Sequence, residues 1–130
     1  MRFLPKRKPS VAVIRLNGVI GGGSRIGGAG MNDASLKPLI EAAFKRGKPV
    51  AVALAINSPG GSPTQSALIA GRIRALAAEA GIPVLAFCED VAASGGYWLA
   101  TAADEIYADD NSILGSIGVI SAGFGLQELI

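Results

Sequence analysis

The sequence predicts an α/β domain built on a mainly parallel sheet. Three observations carry this. Apolar, β-branched segments alternate with helix-periodic ones in the order β-α-β-α-β-α-β-β. The run from Val50 to Ile56 is apolar at every position, as in a strand covered on both faces. Glycines, 18 in 130 residues, gather after strand-like segments, where the backbone turns or approaches closely.

The elements follow in order. Ser10 to Ile20 is rich in β-branched residues and partly alternates, which predicts a strand. Gly21 to Gly30 is a loop of small residues. Leu36, Leu39, Ile40, Ala43 and Phe44 form one helical stripe. Ser35 is its expected N-cap, leaving Pro38 in the first turn, and Gly47 and Pro49 end it. After the Val50–Ile56 strand, Ser62 as N-cap, Pro63 at N1 and Gln65 at N3 predict a capping box. Leu68, Ile73, Leu76 and Ala80 carry that helix to Gly81. A third strand is expected from Pro83 to Cys88, then a short helix from Tyr97 to Ala103. Glu105 to Ala108 reads as a strand, Asp109 to Ser112 as a turn, and Ile113 to Ala122 as a last strand. Crossovers of the usual right hand would connect the parallel strands.

Composition excludes several classes. The chain is 50% hydrophobic and 17% charged, which is globular and sized for one domain. It has no histidine, which removes the Ser-His-Asp triad, the Cys-His dyad and most zinc sites, so no metal or cofactor is expected. Cys88 has no second cysteine to pair with and reads as a small core residue of a reducing compartment. The glycine-rich loop fits no G-x-G-x-x-G register and precedes no Gly-Lys-Ser/Thr, so nucleotide binding is not expected. No nucleic-acid partner is expected either. Whether residues 21–30 cover a site is open. Arg2, Lys6, Arg7 and Lys8 make a basic tail over residues 1–9 and leave the remainder slightly acidic. The tail reads first as a solvated terminus, and second as a contact with an anionic membrane surface.

Two glycine-marked loops, Asn57 to Gly61 and Val91 to Gly96, follow successive apolar strands. In a parallel sheet they lie side by side at the carboxyl ends. Ser94 sits between a strand and a helix with Gly95 and Gly96 behind it. Such a serine is either a helix N-cap or a presented nucleophile whose neighbour's N–H is free. Ser58-Pro59-Gly60-Gly61 alone is a turn before a capped helix. Paired with the Ser94 turn, its N–H groups and that of Gly95 can converge into an oxyanion hole.

Asn57-Ser58-Pro59-Gly60-Gly61, Ala92-Ala93-Ser94-Gly95-Gly96-Tyr97 and Gly115-Ser116-Ile117-Gly118-Val119 agree in order and spacing with a known family. They resemble the signal peptide peptidase A (SppA/SohB) family of Ser–Lys peptidases over nearly the whole chain. The resemblance implies a ClpP/crotonase-like fold, a spiral of β-β-α units that assembles into homo-oligomers. It implies Ser94 as nucleophile, Gly95 with Gly60 or Gly61 as oxyanion hole, and Ser116 as the hydroxyl that orients the catalytic lysine. Ser58, Pro59 and Gly96 are expected to contact substrate. The implied substrates are apolar peptides, remnant signal peptides among them, met in the cytoplasm at the inner membrane face.

The family's lysine would fall beyond residue 130. Lys45 and Lys48 precede the second strand, Lys6 and Lys8 lie in the tail, and Lys37 is on the polar side of its helix. Residues 10–130 are therefore expected to be an incomplete peptidase domain, the N-terminal part or a fragment of a longer enzyme, with little activity alone. Two other readings remain. One is a crotonase-like acyl-CoA enzyme, for which Glu89, Asp90 and Asp104 are the carboxylates nearest the expected pocket. The other is a non-catalytic peptide-binding or assembly module. Whichever holds, the apolar surface of Leu126 and Ile130 would seek a partner.

Overall fold

The structure, a computed structural model, describes residues 8–21 and 30–116. Its elements are β1 (Val11–Asn17), α1 (Asp33–Lys45), β2 (Ala51–Ser58), α2 (Pro63–Ala80), β3 (Val84–Ala93), α3 (Gly95–Ala100), β4 (Glu105–Ala108) and β5 (Ile113–Gly115). The strands lie in the order β1-β2-β3-β4, with β5 also pairing β3, and every pair is parallel. The α/β class and the mainly parallel, helix-flanked sheet are as the sequence predicts.

Sequential strand order with right-handed crossovers places all connecting helices on one face of a sheet. The burial pattern agrees. Ile14 and Leu16 of β1 are buried, while Val11, Val13 and Arg15, which alternate with them along the strand, are exposed. Leu36, Ile40 and Phe44 of α1, Ile69, Ile73 and Ala77 of α2, and Leu99 of α3 close over Val52, Leu54, Ile56, Val84 and Ala86. Each fully buried aliphatic side chain here contributes about 1.5–3 kcal/mol relative to exposure.

Several boundaries differ from expectation for identifiable reasons. Helix α1 starts at Asp33, because Asn32, and not Ser35, is the N-cap; its Oδ1 accepts the Ser35 N–H at 2.9 Å. Pro38 thus lies inside the helix. The capping box before α2 is half made. Ser62 Oγ accepts the Gln65 N–H at 3.2 Å, but Gln65 Oε1 turns away to accept the Asp33 N–H at 2.8 Å. The buried stripe of α2 runs through Ser66, Ile69, Ala70, Ile73 and Ala77, so Leu68 and Ala80 point outward. Strand β3 continues five residues past Cys88 to Ala93, with an irregularity: Ile56 pairs with Cys88, yet Ser58 pairs with Ala92. Asn57 Oδ1 accepts the Val91 N–H at 3.2 Å and holds the extra residues in place. Helix α3 begins at Gly95, two residues before Tyr97, and ends at Ala100, with Thr101 to Ala103 continuing as a turn. Strand β5 ends at Gly115, where Gly115 and Ser116 both take positive φ, 94° and 61°. The basic tail through Arg7, the stretch 22–29, the rest of the expected last strand, Gly118, Leu126 and Ile130 lie outside the described residues.

Candidate active site

The carboxyl ends of β1, β2 and β3 meet in one place, and hydrogen bonds between their loops fix it. The chain after β1 runs beside the chain after β2. Gly18 N–H donates to Asn57 O and Ile20 N–H to Gly60 O, both at 2.9 Å, and Ser62 N–H donates to Ile20 O at 2.8 Å. Gly60 and Gly61 take φ of 102° and 152°, within the range that favours glycine.

Ser94 follows β3 directly with φ 54° and ψ −123°. An L-residue rarely adopts that conformation, and it costs on the order of 1–3 kcal/mol. Ser94 stands at the N-cap position of α3, but its side chain makes no capping hydrogen bond. The helix-cap reading therefore places the residue correctly and misses what its hydroxyl does. The Ser94 N–H donates to Gly115 O at 2.7 Å, which sets Ser116 beside the turn.

The two glycine loops are in contact. A Cβ on Gly60 would lie 2.7 Å from Ser94 Cβ and 2.8 Å from Gly95 N. A Cβ on Gly95 would lie 3.5 Å from Gly61 N and only 2.4 Å from Ser66 Oγ. Both positions admit hydrogen alone, so the loops close to backbone distance. The Gly60 N–H is already taken by Ser58 Oγ at 3.1 Å. Among the described residues, the N–H groups of Gly61 and Gly95 have no acceptor. Two unspent backbone donors thus lie beside a strained, uncapped serine, an arrangement able to receive a developing oxyanion.

The residues expected at the substrate divide. Pro59 is exposed. Ser58 is fully buried, and its hydroxyl donates to Gly18 O at 2.6 Å, so its side chain holds the loop and has no surface for a ligand. Gly96 is likewise buried, and a Cβ there would meet Ser58 O at 2.4 Å, so it serves close packing. Asp104 is far from the expected pocket. It accepts the Val84 N–H at 2.8 Å and lies 3.5 Å from Arg74, at the opposite end of β3. Glu89 and Asp90 are exposed, and Glu89 lies 3.7 Å from Arg15. Burial pushes the Cys88 thiol above its ordinary range, so it stays neutral in the core. Lys8, Lys37, Lys45 and Lys48 are all exposed, and none hydrogen-bonds Ser94. Among the described residues, no group of three or more acidic, cysteine or histidine residues is arranged to hold a metal.

Sequence reasoning missed two supporting side chains. Asn57 ties the β2 and β3 loops together, and buried Ser66, with its Oγ donating to Ser62 O at 2.8 Å, backs Gly95. A serine inside a helix carries no such signal, since bonding to the carbonyl four residues back is its ordinary habit.

This architecture is that of the ClpP-like α/β fold. A solved structure of a serine-to-alanine mutant of the 1510-N membrane-bound stomatin-specific protease superposes with a TM-score of 0.67 at 20% identity, over 91% of this chain and 53% of that one. The sequence profile described as peptidase family S49 matches residues 77–130. The chloroplastic serine protease SPPA of Arabidopsis thaliana is 37% identical over 125 residues, 94% of this chain and 18% of that protein. The chain is thus similar to proteins of peptidase family S49. It is also 50% identical over 133 residues to a protein named Na(+)/H(+) antiporter NhaA from Brucella melitensis biotype 1, covering 99% of this chain and 18% of that protein. That name describes a much longer protein, and among the described residues no helix is long and apolar enough to cross a membrane. The chain spans about a fifth of the length of these curated relatives.

Proposed function

We propose that the chain carries the nucleophile and oxyanion site of a serine endopeptidase of Ser–Lys type that cleaves apolar peptides, remnant signal peptides among them. The observation that carries the reading is the Ser94 backbone at φ 54° and ψ −123°, with a hydroxyl spared from capping. In this reading Ser94 Oγ attacks the peptide carbonyl carbon while its proton passes to a neutral lysine amine. The carbonyl electron pair moves to oxygen, which accepts N–H bonds from Gly95 and Gly61. One such donor is worth roughly 3–4 kcal/mol in the transition state. The C–N bond then breaks, the lysine returns the proton to the leaving amine, and water releases the acyl group by the same steps. Ser116 orients the lysine.

That lysine comes from outside the described residues. Lys45 and Lys48 stand where β2 begins, and its 8 residues span roughly 25 Å to the loop at the other end. Lys37 is exposed on α1. In this reading residues 10–130 contribute the nucleophile and the oxyanion site to the peptidase. It acts as a homo-oligomer at the cytoplasmic membrane face, with the basic tail on anionic lipid.

In the full-length protein, a fluorophosphonate labels Ser94, and hydrolysis of an apolar fluorogenic peptide stops in Ser94→Ala. The 130 residues alone give no turnover. Peptide binding unchanged by Ser94→Ala, with no labelling, would replace this reading by a binding module. Tight coenzyme A binding without labelling would replace it by an acyl-CoA enzyme.

A further inference from the structure

Two successive glycines end the β2 loop, and among the described residues only the second, Gly61, keeps an N–H without an acceptor. The peptide plane that carries the Gly61 N–H is fixed from its other side, because Gly60 O accepts the Ile20 N–H at 2.9 Å. In a trans peptide the C=O and N–H point oppositely, so this bond aims the Gly61 N–H away from Ile20 N. The preceding plane is fixed by Ser58, whose Oγ accepts the Gly60 N–H at 3.1 Å while donating to Gly18 O at 2.6 Å. Gly18 N–H donates in turn to Asn57 O at 2.9 Å, so Ser58 bridges two strand ends that are already fastened to each other.

We infer that Ser58 is a positioning residue that assigns Gly61, not Gly60, as the donor paired with Gly95. The inference rests on the reading of Ser94, Gly61 and Gly95 given above. Glycines rotate freely at positive φ, so nothing in Gly60 itself holds the plane. Without the Ser58 hydroxyl the Gly60 N–H is buried and unpaired, and the cheapest remedy is a peptide rotation that carries Gly61 off its aim. The neighbouring packing reinforces the bridge: Gly96 meets the Ser58 backbone oxygen closely, so β2's end cannot slide to compensate.

The test is steady-state kinetics on the full-length protein with Ser58→Ala, Ser58→Thr and Ser94→Ala, beside amide hydrogen exchange. Ser58→Ala lowers kcat about 10- to 100-fold with KM nearly unchanged, and weakens a peptidyl aldehyde inhibitor by the same factor, since only the tetrahedral state uses the donor. Ser58→Thr keeps the hydroxyl and restores most of kcat. The Gly60 amide, protected in the parent, exchanges at least about tenfold faster in Ser58→Ala. A Ser58→Ala protein with lowered melting temperature but unchanged kcat and inhibitor affinity would overturn the inference, as would unchanged exchange at Gly60. If Ser94→Ala retains full turnover, the underlying reading falls and the inference with it. If Ser94→Ala is inactive and Ser58→Ala behaves as the parent, the inference alone falls.

Discussion

Ser58 and Ser94 stand at the ends of neighbouring parallel strands, each followed closely by a pair of glycines, and the fold treats their hydroxyls in opposite ways. Ser58 is fully buried and both donates and accepts a hydrogen bond. Ser94 is half-buried, holds a backbone conformation that strains any side chain, and caps nothing. A buried hydroxyl with both capacities used stabilises the fold and is closed to reaction. A hydroxyl held in strain without a partner contributes nothing to stability, and structures keep such residues where the strain serves a purpose. Residue type and flanking glycines are nearly the same at the two sites. What separates them is whether nearby backbone donors are already spent among the described residues: Gly60 N–H is, and those of Gly61 and Gly95 are not.

The contrast breaks or holds first at Ser94. Ser94→Ala should reduce kcat/KM of the full-length protein on the order of 10⁴-fold or more, as losing a nucleophile does. Its urea midpoint should stay close to the parent's, because alanine inherits the same φ and loses no hydrogen bond. Ser94→Gly should be equally inactive yet more stable by roughly 1 kcal/mol, since glycine adopts that backbone without strain. A destabilised glycine variant would show that Ser94 stabilises the turn, and the contrast with Ser58 would be lost.

The glycines come next, because they transmit the contact between the two loops. A Cβ at residue 96 would meet Ser58 backbone oxygen at 2.4 Å, and backbone cannot yield cheaply. Gly96→Ala should cost about 3 kcal/mol, read from urea melts. At residue 95 the clash, also 2.4 Å, is with the Ser66 side-chain oxygen. Gly95→Ala should cost less, and Ser66→Ala in the same chain should recover about 1 kcal/mol of the loss. Additive effects would mean that Ser66 does not fix residue 95.

Much of this was readable in the sequence, for a reason that also marks the limit. Apolar periodicity depends on near neighbours, and it located every element from β1 to β5. Glycine clusters after strands located the Ser94 turn and the Gly60–Gly61 pair. Which glycine keeps a free N–H was not readable, since that depends on Ser58 reaching Gly18 across 40 residues and on Ile20 meeting Gly60. The α1 cap went wrong for the same kind of reason. Ser35 is a good capping residue locally, but helix α1 begins where Asp33 meets Arg72, 39 residues away on α2, and Gln65.

That pair gives the smallest effect and the cleanest control on the comparison. Arg72 donates from Nε and Nη2 to the two Asp33 carboxylate oxygens, each at 2.8 Å. The side-chain hydrogen bond from Arg72 holds the Asp33 carboxyl below its ordinary range, against the opposing pull of burial. A carboxyl depressed in the folded state stabilises above its unfolded pKa and loses that contribution as pH falls through the folded value. Asp33→Asn should therefore lower the melting temperature at pH 7, with the gap to the parent closing as pH drops below about 4. The backbone N–H of residue 33 still donates to Gln65 in the variant, so the loop before α2 keeps its anchor. Peptide turnover at pH 7 should stay near the parent's, whereas Ser58→Ala lowers it about 10- to 100-fold. A melting gap independent of pH would mean that Asp33 contributes shape and not charge. A turnover loss like that of Ser58→Ala would mean that the aim of Gly61 is set from α1 as well as from Ser58.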